Sequence, residues 1–334
     1  MAPAVSAGAY DAAHRGAAFV DRSDRGRVVV SGSDRASYLQ GLLTNDVVAL
    51  KAGQGCYAAY LTAQGRMIAD LHVYELGDVM LLAMPGDVKD AVLAKLDQFI
   101  FTEDVQLGDV TGTFAQIAVV GPAAADAVTA ALRAVSSDAF RGLPEHGNVR
   151  TQWSGGGAIV TRITDAGEPG YDVYVESPHA DGLKAALASA HVAELDGATA
   201  ETLRIEAGVP QFHRDMDEET IPLEAGIESR AISFTKGCYV GQEVVIRVLH
   251  RGHGRVARKL VGLTLSGGSH VPAPGATIRV DEREIGHVTS STLSPALEKP
   301  IALGYVHRDF VAPGTRVSVD RSDAEVVALP FTAR

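Results

Sequence analysis

The sequence predicts an α+β fold followed by a small all-β domain. Helical and strand-like segments mix without a regular βαβ alternation over residues 1–245, which argues against a doubly wound sheet. Beyond residue 258, short strand-like runs alternate with turns that contain glycine or proline, as in a small closed or nearly closed barrel. The 334 residues exceed one typical core, and 46% of them are hydrophobic. We therefore predict a body over residues 1–245 and a barrel over residues 255–334.

The charge balance and the cysteine count narrow the class of protein. A formal charge of −11 argues against stable nucleic-acid binding, because phosphate neutralisation needs clustered cations. Two cysteines, Cys56 and Cys238, cannot build a disulfide framework, which fits a reducing cytoplasm. No apolar run predicts a membrane span or a signal peptide. We expect a cytoplasmic monomer.

The first third of the chain predicts a meander flanked by helices. Its elements are a strand at 28–32, a helix at 34–44 with Ser33 as N-cap, strands at 56–61, 66–76 and 79–84, and a helix at 88–101. The first two strands alternate between apolar and polar residues, and turns join all three, which indicates antiparallel pairing. Phe99 completes the apolar face predicted for the second helix.

The remaining elements follow the same reasoning. They are strands at 116–120, 158–163 and 171–175, helices at 123–135 and 180–190, and barrel strands at 259–265, 277–280, 284–290, 301–306 and 316–319. Three glycines at 155–157 predict a hairpin turn rather than a phosphate loop, because no helix start follows them.

The segment 234–247 is the hardest to explain by packing alone. Gly237 and Gly241 bracket Cys238, so the backbone there is free to take positive φ or to approach a ligand closely. Lys236 lies two residues from the sulfur, and a nearby cation favours the thiolate form. The alternative is a small buried cysteine in a glycine turn before a strand.

The run K-G-C-Y-V-G-Q-E at 236–243, followed by R-V-L-H-R-G-H, resembles the signature of the YgfZ-type folate-binding proteins. These proteins are relatives of the glycine-cleavage T-protein and assist iron–sulfur protein maturation. The resemblance extends over residues 32–73 and 203–228. It implies a T-protein-like body of two α+β subdomains and a C-terminal barrel, arranged around a central channel. It also implies tetrahydrofolate or a derivative as cofactor, iron–sulfur client or carrier proteins as partners, and Cys238 as the functional thiol.

The resemblance also suggests folate contacts. The run 201–208 is similar to the L-R-x-E-A-G run of T-proteins, in which the glutamate contacts the pterin, so Glu206 is the pterin candidate. Gly208 suits the position after a helix end, and a solvated helix-end glutamate is the alternative. Glu224, in a second family-like segment, is expected to line the same cavity.

Cations cluster after the cysteine motif. Residues 236–259 contain six lysines or arginines and one acid, a local charge of +5 on an acidic protein. We predict that Lys236, Arg247 and Arg251 bind the folate carboxylates, although a solvated strand face would look the same. The acids at 215–219 and the pair His250 and His253 lack a convincing metal-ligand pattern, so no metal site is predicted.

One position departs from the T-protein pattern. Residues 65–71 read G-R-M-I-A-D-L where T-proteins read G-G-x-x-D-D-L, and the resemblance associates the first paired aspartate with aminomethyl transfer. That position is Ala69, and Asp70 must point to the opposite face of the strand. The leading hypothesis is therefore a folate-binding accessory protein in iron–sulfur cluster assembly or repair that does not transfer aminomethyl groups. The alternatives are a tetrahydrofolate-dependent one-carbon transferase and a folate-linked redox or demethylation enzyme.

Overall fold

The computed structural model describes residues 5–133, 136–250, 255–266, 268–320 and 322–332. Its strands are β1 Ala18–Asp21, β2 Gly26–Ser31, β3 Gly55–Leu61, β4 Met67–Glu75, β5 Met80–Met84, β6 Gln106–Asp109, β7 Phe114–Val120, β8 Asn148–Trp153, β9 Gly156–Ile163, β10 Gly170–Glu176, β11 Ala193–Glu194, β12 Arg258–Leu265, β13 Thr277–Val280, β14 Arg283–Ser294, β15 Lys299–His307, β16 Arg316–Val319 and β17 Ser322–Val327. Its α-helices are α1 Ala7–Arg15, α2 Arg35–Leu42, α3 Lys89–Asp97, α4 Ala124–Leu132, α5 Asp138–Arg141, α6 Ala180–Ser189, α7 Gly197–Glu206, α8 Pro222–Ala225, α9 Glu228–Ala231 and α10 Gln242–His250.

The first sheet contains the predicted meander. Its strand order is β3-β4-β5-β2-β6, and every pair in it is antiparallel. One face packs against α2 and α3 in the largest hydrophobic core. Helix α2 begins at Arg35 with Asp34 as N-cap, whereas the predicted cap, Ser33, hydrogen-bonds Asp104 instead. Helix α3 ends at Asp97, before the predicted end, so Phe99 is 43% exposed rather than part of the apolar face.

The second sheet has the order β11-β1-β7-β10-β9-β8, with a core of its own beneath α4 and α6. Strands β8 and β9 form a hairpin whose turn carries Ser154 and Gly155 at positive φ. This confirms the hairpin predicted for the glycine run. Two mixed α+β subdomains thus make up the body, as the resemblance implied.

The C-terminal strands close into a barrel in the order β12-β15-β14-β13-β16-β17. Strand β17 was missing from the predicted set, and its pairing with both β12 and β16 completes the closure. Helix α7 packs on the outside of the barrel, where Ile205 joins a cluster of barrel residues. The barrel is therefore attached to the body through α7.

Residues 232–241 form an irregular segment that leads into α10. A helix, rather than the strand assumed in the alternative of a small buried cysteine, therefore follows the cysteine turn. Apolar residues of α10 explain the helix, because Val245 is fully buried against the first core while Ile246 and Arg247 face outward. Gly241 has a φ of +85°, as the glycine argument requires, and a Cβ there would lie 2.5 Å from the carbonyl oxygen of Thr62.

Candidate folate-binding cavity

A cavity of about 310 Å³ is lined by residues of both sheets and of the segment 195–230. Its volume lies within the range of small-molecule pockets. Among the residues that the structure describes, none of the cavity lining comes from the barrel. The chemistry of this site therefore belongs to the body of the protein.

Strand β4 places alternate side chains on the two faces of the first sheet. Ala69 is fully buried in the hydrophobic core, together with Met67 and Leu71. Asp70 and His72 lie on the other face and line the cavity. The predicted alternation is confirmed, but the cavity lies on the side of Asp70. The alanine at position 69 therefore removes no acid from the cavity, contrary to the inference from the sequence.

Asp70 is held by a tyrosine. The hydroxyl of Tyr57 donates to Oδ2 of Asp70 at 2.8 Å, while Oδ1 is buried without a hydrogen-bond partner in the described structure. Burial raises the pKa of Asp70 above its ordinary value, although the hydrogen bond from Tyr57 opposes this shift. Burial and the adjacent Asp70 raise the pKa of Tyr57 well above its ordinary value, so its hydroxyl remains a donor.

A second carboxylate, Asp165, faces the cavity with its charge compensated. Nη2 of Arg22 donates to Oδ2 of Asp165 at 2.7 Å, and Nη1 lies 3.4 Å from Oδ1 of Asp172. Burial alone would raise the pKa of Asp165, but the charge of Arg22, its hydrogen bond and the other nearby positive groups together outweigh burial and lower that pKa. Oδ1 of Asp165 is buried and has no hydrogen-bond partner among the described residues. Asp165 and Asp70 thus each offer an unengaged acceptor.

His72 is the buried imidazole of the cavity wall. Its ring lies 5.1 Å from that of His146 and 5.2 Å from that of Tyr57. Burial, reinforced by His146, lowers the pKa of His72 well below its ordinary value. His72 is therefore neutral at physiological pH and adds no charge to the cavity.

Arg204 connects the cavity to the barrel. Its guanidinium donates to Glu201 and to Asp215 at 2.6 Å each, and to the hydroxyl of Ser290 in β14 at 2.8 Å. Arg204 and Glu201 both line the cavity. Because these charges are mutually satisfied, the network fixes the cavity wall rather than offering a free ligand group.

Glu206, the predicted pterin contact, is engaged by the protein itself, so that contact stays a prediction. Its carboxylate is fully buried, accepting hydrogen bonds from Tyr10 (2.7 Å) and from Ser294 of the barrel. It is not among the residues that line the cavity. Helix α7 does end at Glu206, with Gly208 at φ +68°, as predicted. The carboxylate of α7 that faces the cavity is Glu201, five residues earlier.

Two other predicted folate contacts also have protein partners. Oε2 of Glu224 pairs with Nε of Arg258 at 3.2 Å, which joins α8 to the barrel. Nζ of Lys236 donates to the carbonyl oxygens of Gln40, Leu43 and Asn45 at 2.6–2.9 Å.

The ammonium of Lys236 is thus a buried anchor. It satisfies carbonyl groups in the last turn of α2 and just after it, and it lies 5.1 Å from the ring centre of Tyr239. Burial lowers the pKa of Lys236 to about 8. Neither Glu224 nor Lys236 lines the cavity, so the structure does not bring them together with Asp70.

Cys238 is exposed at the surface, which contradicts the alternative of a small buried cysteine. It does not line the cavity, and neither does Arg247, which is exposed on α10. Arg251 and His253 lie outside the described residues, as does the side chain of His250. The roles predicted for Cys238, Arg247 and Arg251 remain predictions. The other cysteine, Cys56, is buried, and burial raises its pKa to about 12.

Sequence reasoning missed the polar residues that form the cavity, among them Tyr57, Asp70, Arg25 and Arg230. The alternation along β4 could have identified Asp70, since Asp70 and His72 share one face of the strand while Met67, Ala69 and Leu71 form an apolar opposite face. No such signal marks Arg25 and Arg230, because they lie in a turn and in the short helix α9. Only the packing of separate segments brings them to one site.

Two further properties concern the described residues. They include no helix with the length and apolar character that crossing a membrane requires. Within the same residues, no group of three or more histidines, cysteines or carboxylates is arranged to hold a metal ion.

Comparison with known protein families identifies the family of this chain. The family model of the GCVT N-terminal domain matches residues 3–236, and that of the glycine cleavage T-protein C-terminal barrel domain matches residues 258–332. The chain belongs to the glycine-cleavage T-protein family. A structure of glycine cleavage system aminomethyltransferase T from Bartonella henselae has the same fold, with a TM-score of 0.84 and 24% identity over 97% of this chain and 89% of that one.

Several relatives are similar over nearly the whole chain. An aminomethyltransferase of Rubrobacter xylanophilus is 32% identical over 97% of this chain and 86% of its own length. Those of Streptomyces coelicolor and Geobacillus kaustophilus are 32% and 31% identical, over 95% and 97% of this chain and 87% and 90% of theirs. The similarity therefore includes the body with its cavity as well as the barrel.

Tetrahydrofolate is the cofactor of this family, in agreement with the cofactor predicted from the sequence. The cavity residues fit it chemically. A pterin ring presents hydrogen-bond donors on one edge, and the buried acceptors on Asp70 and Asp165 lack partners within the described structure. Unengaged buried acceptors are costly to leave unpaired, so a donor-bearing ligand would satisfy them.

Proposed function

We propose that this protein binds tetrahydrofolate in the central cavity and catalyses a tetrahydrofolate-dependent one-carbon transfer there. The observation that carries the proposal is Asp70, a buried carboxyl group that faces the cavity with one oxygen fixed by Tyr57 and the other unengaged. The relatives named aminomethyltransferase, which match nearly the full chain, support the same reaction class. An aminomethyl group is accordingly the first one-carbon unit to test.

When bound, tetrahydrofolate supplies the nitrogen atoms that accept the one-carbon unit. Asp70 is suited to exchange a proton with such a nitrogen, because its raised pKa brings the carboxyl group closer to neutral pH. Tyr57 fixes the orientation of the carboxyl group and leaves Oδ1 available. Neutral His72 lies beside this pair on the same face of β4 and does not compete for the proton.

The test is turnover in a reconstituted glycine-cleavage assay with lipoyl carrier protein and tetrahydrofolate. The wild type should release the one-carbon unit to tetrahydrofolate, and Asp70→Asn should lower kcat by about 10²- to 10⁴-fold, the usual contribution of a positioned acid or base. Asp126→Asn, at an exposed carboxylate paired with Arg141, is the matched control and should leave kcat unchanged. A wild type without turnover, or a fully active Asp70→Asn variant, contradicts the proposal.

A second function is supported by a different observation. Cys238 is exposed, and the segment that contains it is fixed on both sides. Lys236 hydrogen-bonds three carbonyl groups on one side, and Gly241 packs closely against Thr62 on the other. An exposed thiol on a fixed loop, outside the cavity, is suited to contact another protein. We propose on this basis, and on the YgfZ-like motif, an accessory role in iron–sulfur cluster assembly or repair.

Complementation separates the two functions. In a deletion strain, Cys238→Ser should fail to restore iron–sulfur enzyme activity if the thiol is the functional group, because a hydroxyl is neither a soft metal ligand nor a nucleophile at neutral pH. Asp70→Asn should then restore it at least in part. If Cys238→Ser complements fully, the accessory role of the thiol is refuted. One-carbon transfer is tested independently by the assay above.

A further inference from the structure

Four arginines line the cavity, and they differ in how their charges are compensated. Arg22 pairs with Asp165 and Asp172, and Arg204 pairs with Glu201 and Asp215. These two arginines therefore have carboxylate partners within the protein. Among the described residues, Arg25 has no such partner, and Arg230 has only a distant one, Glu145 at 3.9 Å.

Arg25 lies in the turn between β1 and β2 and is partly buried in the cavity wall. Its Nε is buried without a hydrogen-bond partner, and no described carboxylate lies within ion-pair distance of its guanidinium. Burial raises the pKa of Asp70, and the positive charge of Arg25 opposes that shift. Arg25 therefore acts electrostatically on the acid of the cavity without being neutralised by it.

Arg230 contributes a second positive charge from α9. Its guanidinium lies 5.3 Å from the ring centre of Tyr57, the tyrosine that holds Asp70. Its nearest described carboxylate oxygen is that of Glu145, at 3.9 Å, which is too long for a hydrogen bond. Arg230 is thus only weakly compensated.

The lining as a whole contains four arginines and five carboxylates, so it has no excess of positive charge, and the free guanidinium donors belong locally to Arg25 and Arg230. Arg22 and Arg204 each pair with two carboxylates, His72 is neutral, and the raised pKa of Asp70 disfavours its negative form. Partly enclosed, uncompensated guanidinium groups favour an anion that displaces water from them.

We propose that Arg25, assisted by Arg230, binds a carboxylate of the ligand and selects carboxylate-bearing ligands for this cavity. A guanidinium group donates two parallel hydrogen bonds to a carboxylate, and this geometry matches no neutral group equally well. The proposal rests on the proposed function only in taking this cavity as the ligand site.

Two ligands could supply the carboxylate. One source is the glutamate tail of tetrahydrofolate, and the other is a small amino-acid-like donor of the one-carbon unit. Tetrahydropteroate has the same ring system as tetrahydrofolate but lacks the glutamate. N-methylglycine is a small carboxylate-bearing amine, and dimethylamine is its counterpart without the carboxylate. Together these four compounds distinguish the two sources.

The experiment is calorimetric titration of the full chain with each compound, comparing the wild type with Arg25→Gln and Arg25→Lys. Arg141→Gln, at an exposed arginine outside the cavity, is the matched control. Arg25→Gln should lower the affinity for the carboxylate-bearing ligand by about 10- to 100-fold and leave the affinity for its carboxylate-free counterpart unchanged. Arg25→Lys keeps the charge but loses the two parallel hydrogen bonds. Its affinity for the carboxylate-bearing ligand should therefore lie between those of the wild type and Arg25→Gln. Thermal melting of each variant verifies that it is folded.

The outcomes separate clearly. If Arg25→Gln removes the preference for tetrahydrofolate over tetrahydropteroate, the glutamate tail is the ligand of Arg25. If it instead abolishes N-methylglycine binding, measured with tetrahydropteroate present, the small donor is the ligand. The proposal is overturned if Arg25→Gln changes none of these affinities, or weakens the compounds with and without a carboxylate equally.

These results do not depend on turnover. A wild type that binds the ligands but has no transferase activity refutes the proposed function and leaves the role of Arg25 intact. If the wild type binds neither folate, the N-methylglycine titration alone decides the role of Arg25.

Discussion

The cavity around Asp70 and the segment around Cys238 contrast in how each presents its reactive group. Asp70 is partly buried, oriented by Tyr57 and surrounded by residues from several elements. Cys238 is exposed and lies outside the cavity lining, in an irregular segment that is anchored on both sides. The cavity around Asp70 can enclose a small molecule, whereas Cys238 is accessible to another protein. The most motif-like stretch of the sequence is therefore not the stretch that forms the pocket.

The anchoring of the Cys238 segment should depend most strongly on Lys236. Replacing it in Lys236→Met leaves three carbonyl oxygens without their donor, and each buried unsatisfied group costs about 1–3 kcal/mol. We expect a loss of about 4 kcal/mol in the free energy of unfolding, measured by urea denaturation. Lys95→Met, at an exposed position of α3, is the control and should change stability by less than about 0.5 kcal/mol. Equal stabilities of the two variants would show that the hydrogen bonds of Lys236 to the three carbonyl groups do not contribute to stability.

Gly241 provides the second anchor. In Gly241→Ala the backbone must keep a φ of +85°, and the new Cβ would lie 2.5 Å from the carbonyl oxygen of Thr62. We expect a loss of about 2 kcal/mol from strain and the required shift, measured by thermal melting. The matched control is Gly237→Ala, because a Cβ at Gly237 meets no atom within 4 Å. If both substitutions change stability equally, the close packing of Gly241 against Thr62 does not fix this segment.

Asp70 should make stability depend on pH in a defined direction. Its pKa is raised by folding, so the folded state binds the proton more tightly than the unfolded state. The resulting stabilisation is complete below the unfolded pKa of about 3.9 and is lost as the pH rises through the folded pKa. Asp70→Asn removes this loss.

We therefore expect Asp70→Asn to be more stable than the wild type by about 1 kcal/mol at pH 7, while losing activity. The advantage should disappear below about pH 4, where the wild-type carboxyl group is protonated in both states. Thermal melts of both proteins across this pH range test the prediction. A wild type that gains stability relative to the variant as the pH rises would mean that the carboxyl group is stabilised in its charged form.

The smallest effect is expected at Cys238 itself. Cys238→Ser replaces an exposed sulfur by oxygen and removes no buried contact, so stability should change by about 0.5 kcal/mol or less. Tetrahydrofolate affinity should also be unchanged, because Cys238 does not line the cavity. Melting and calorimetric titration of this variant give both answers. A substantially weaker folate affinity would show that the two regions are coupled.

Several properties could be predicted from the sequence because they depend on short-range patterns. Alternation and turns predicted the antiparallel meander, the β8–β9 hairpin and most barrel strands. Helix α10 was not predicted, because the glycines that follow it argued against a helix in this region. The resemblance to T-proteins correctly indicated the family, and with it the cofactor.

The sequence by itself determined that Ala69 and Asp70 point to opposite faces of β4, because this follows from strand geometry alone. Which of these faces meets the cavity was decided only by the tertiary structure, since it depends on where the helices and the second sheet pack. The same holds for Glu206 and Lys236, whose charges the chain itself satisfies with partners far away in the sequence. A charged residue offers an atom to a ligand only where packing leaves that atom without a protein partner, and no local pattern records that.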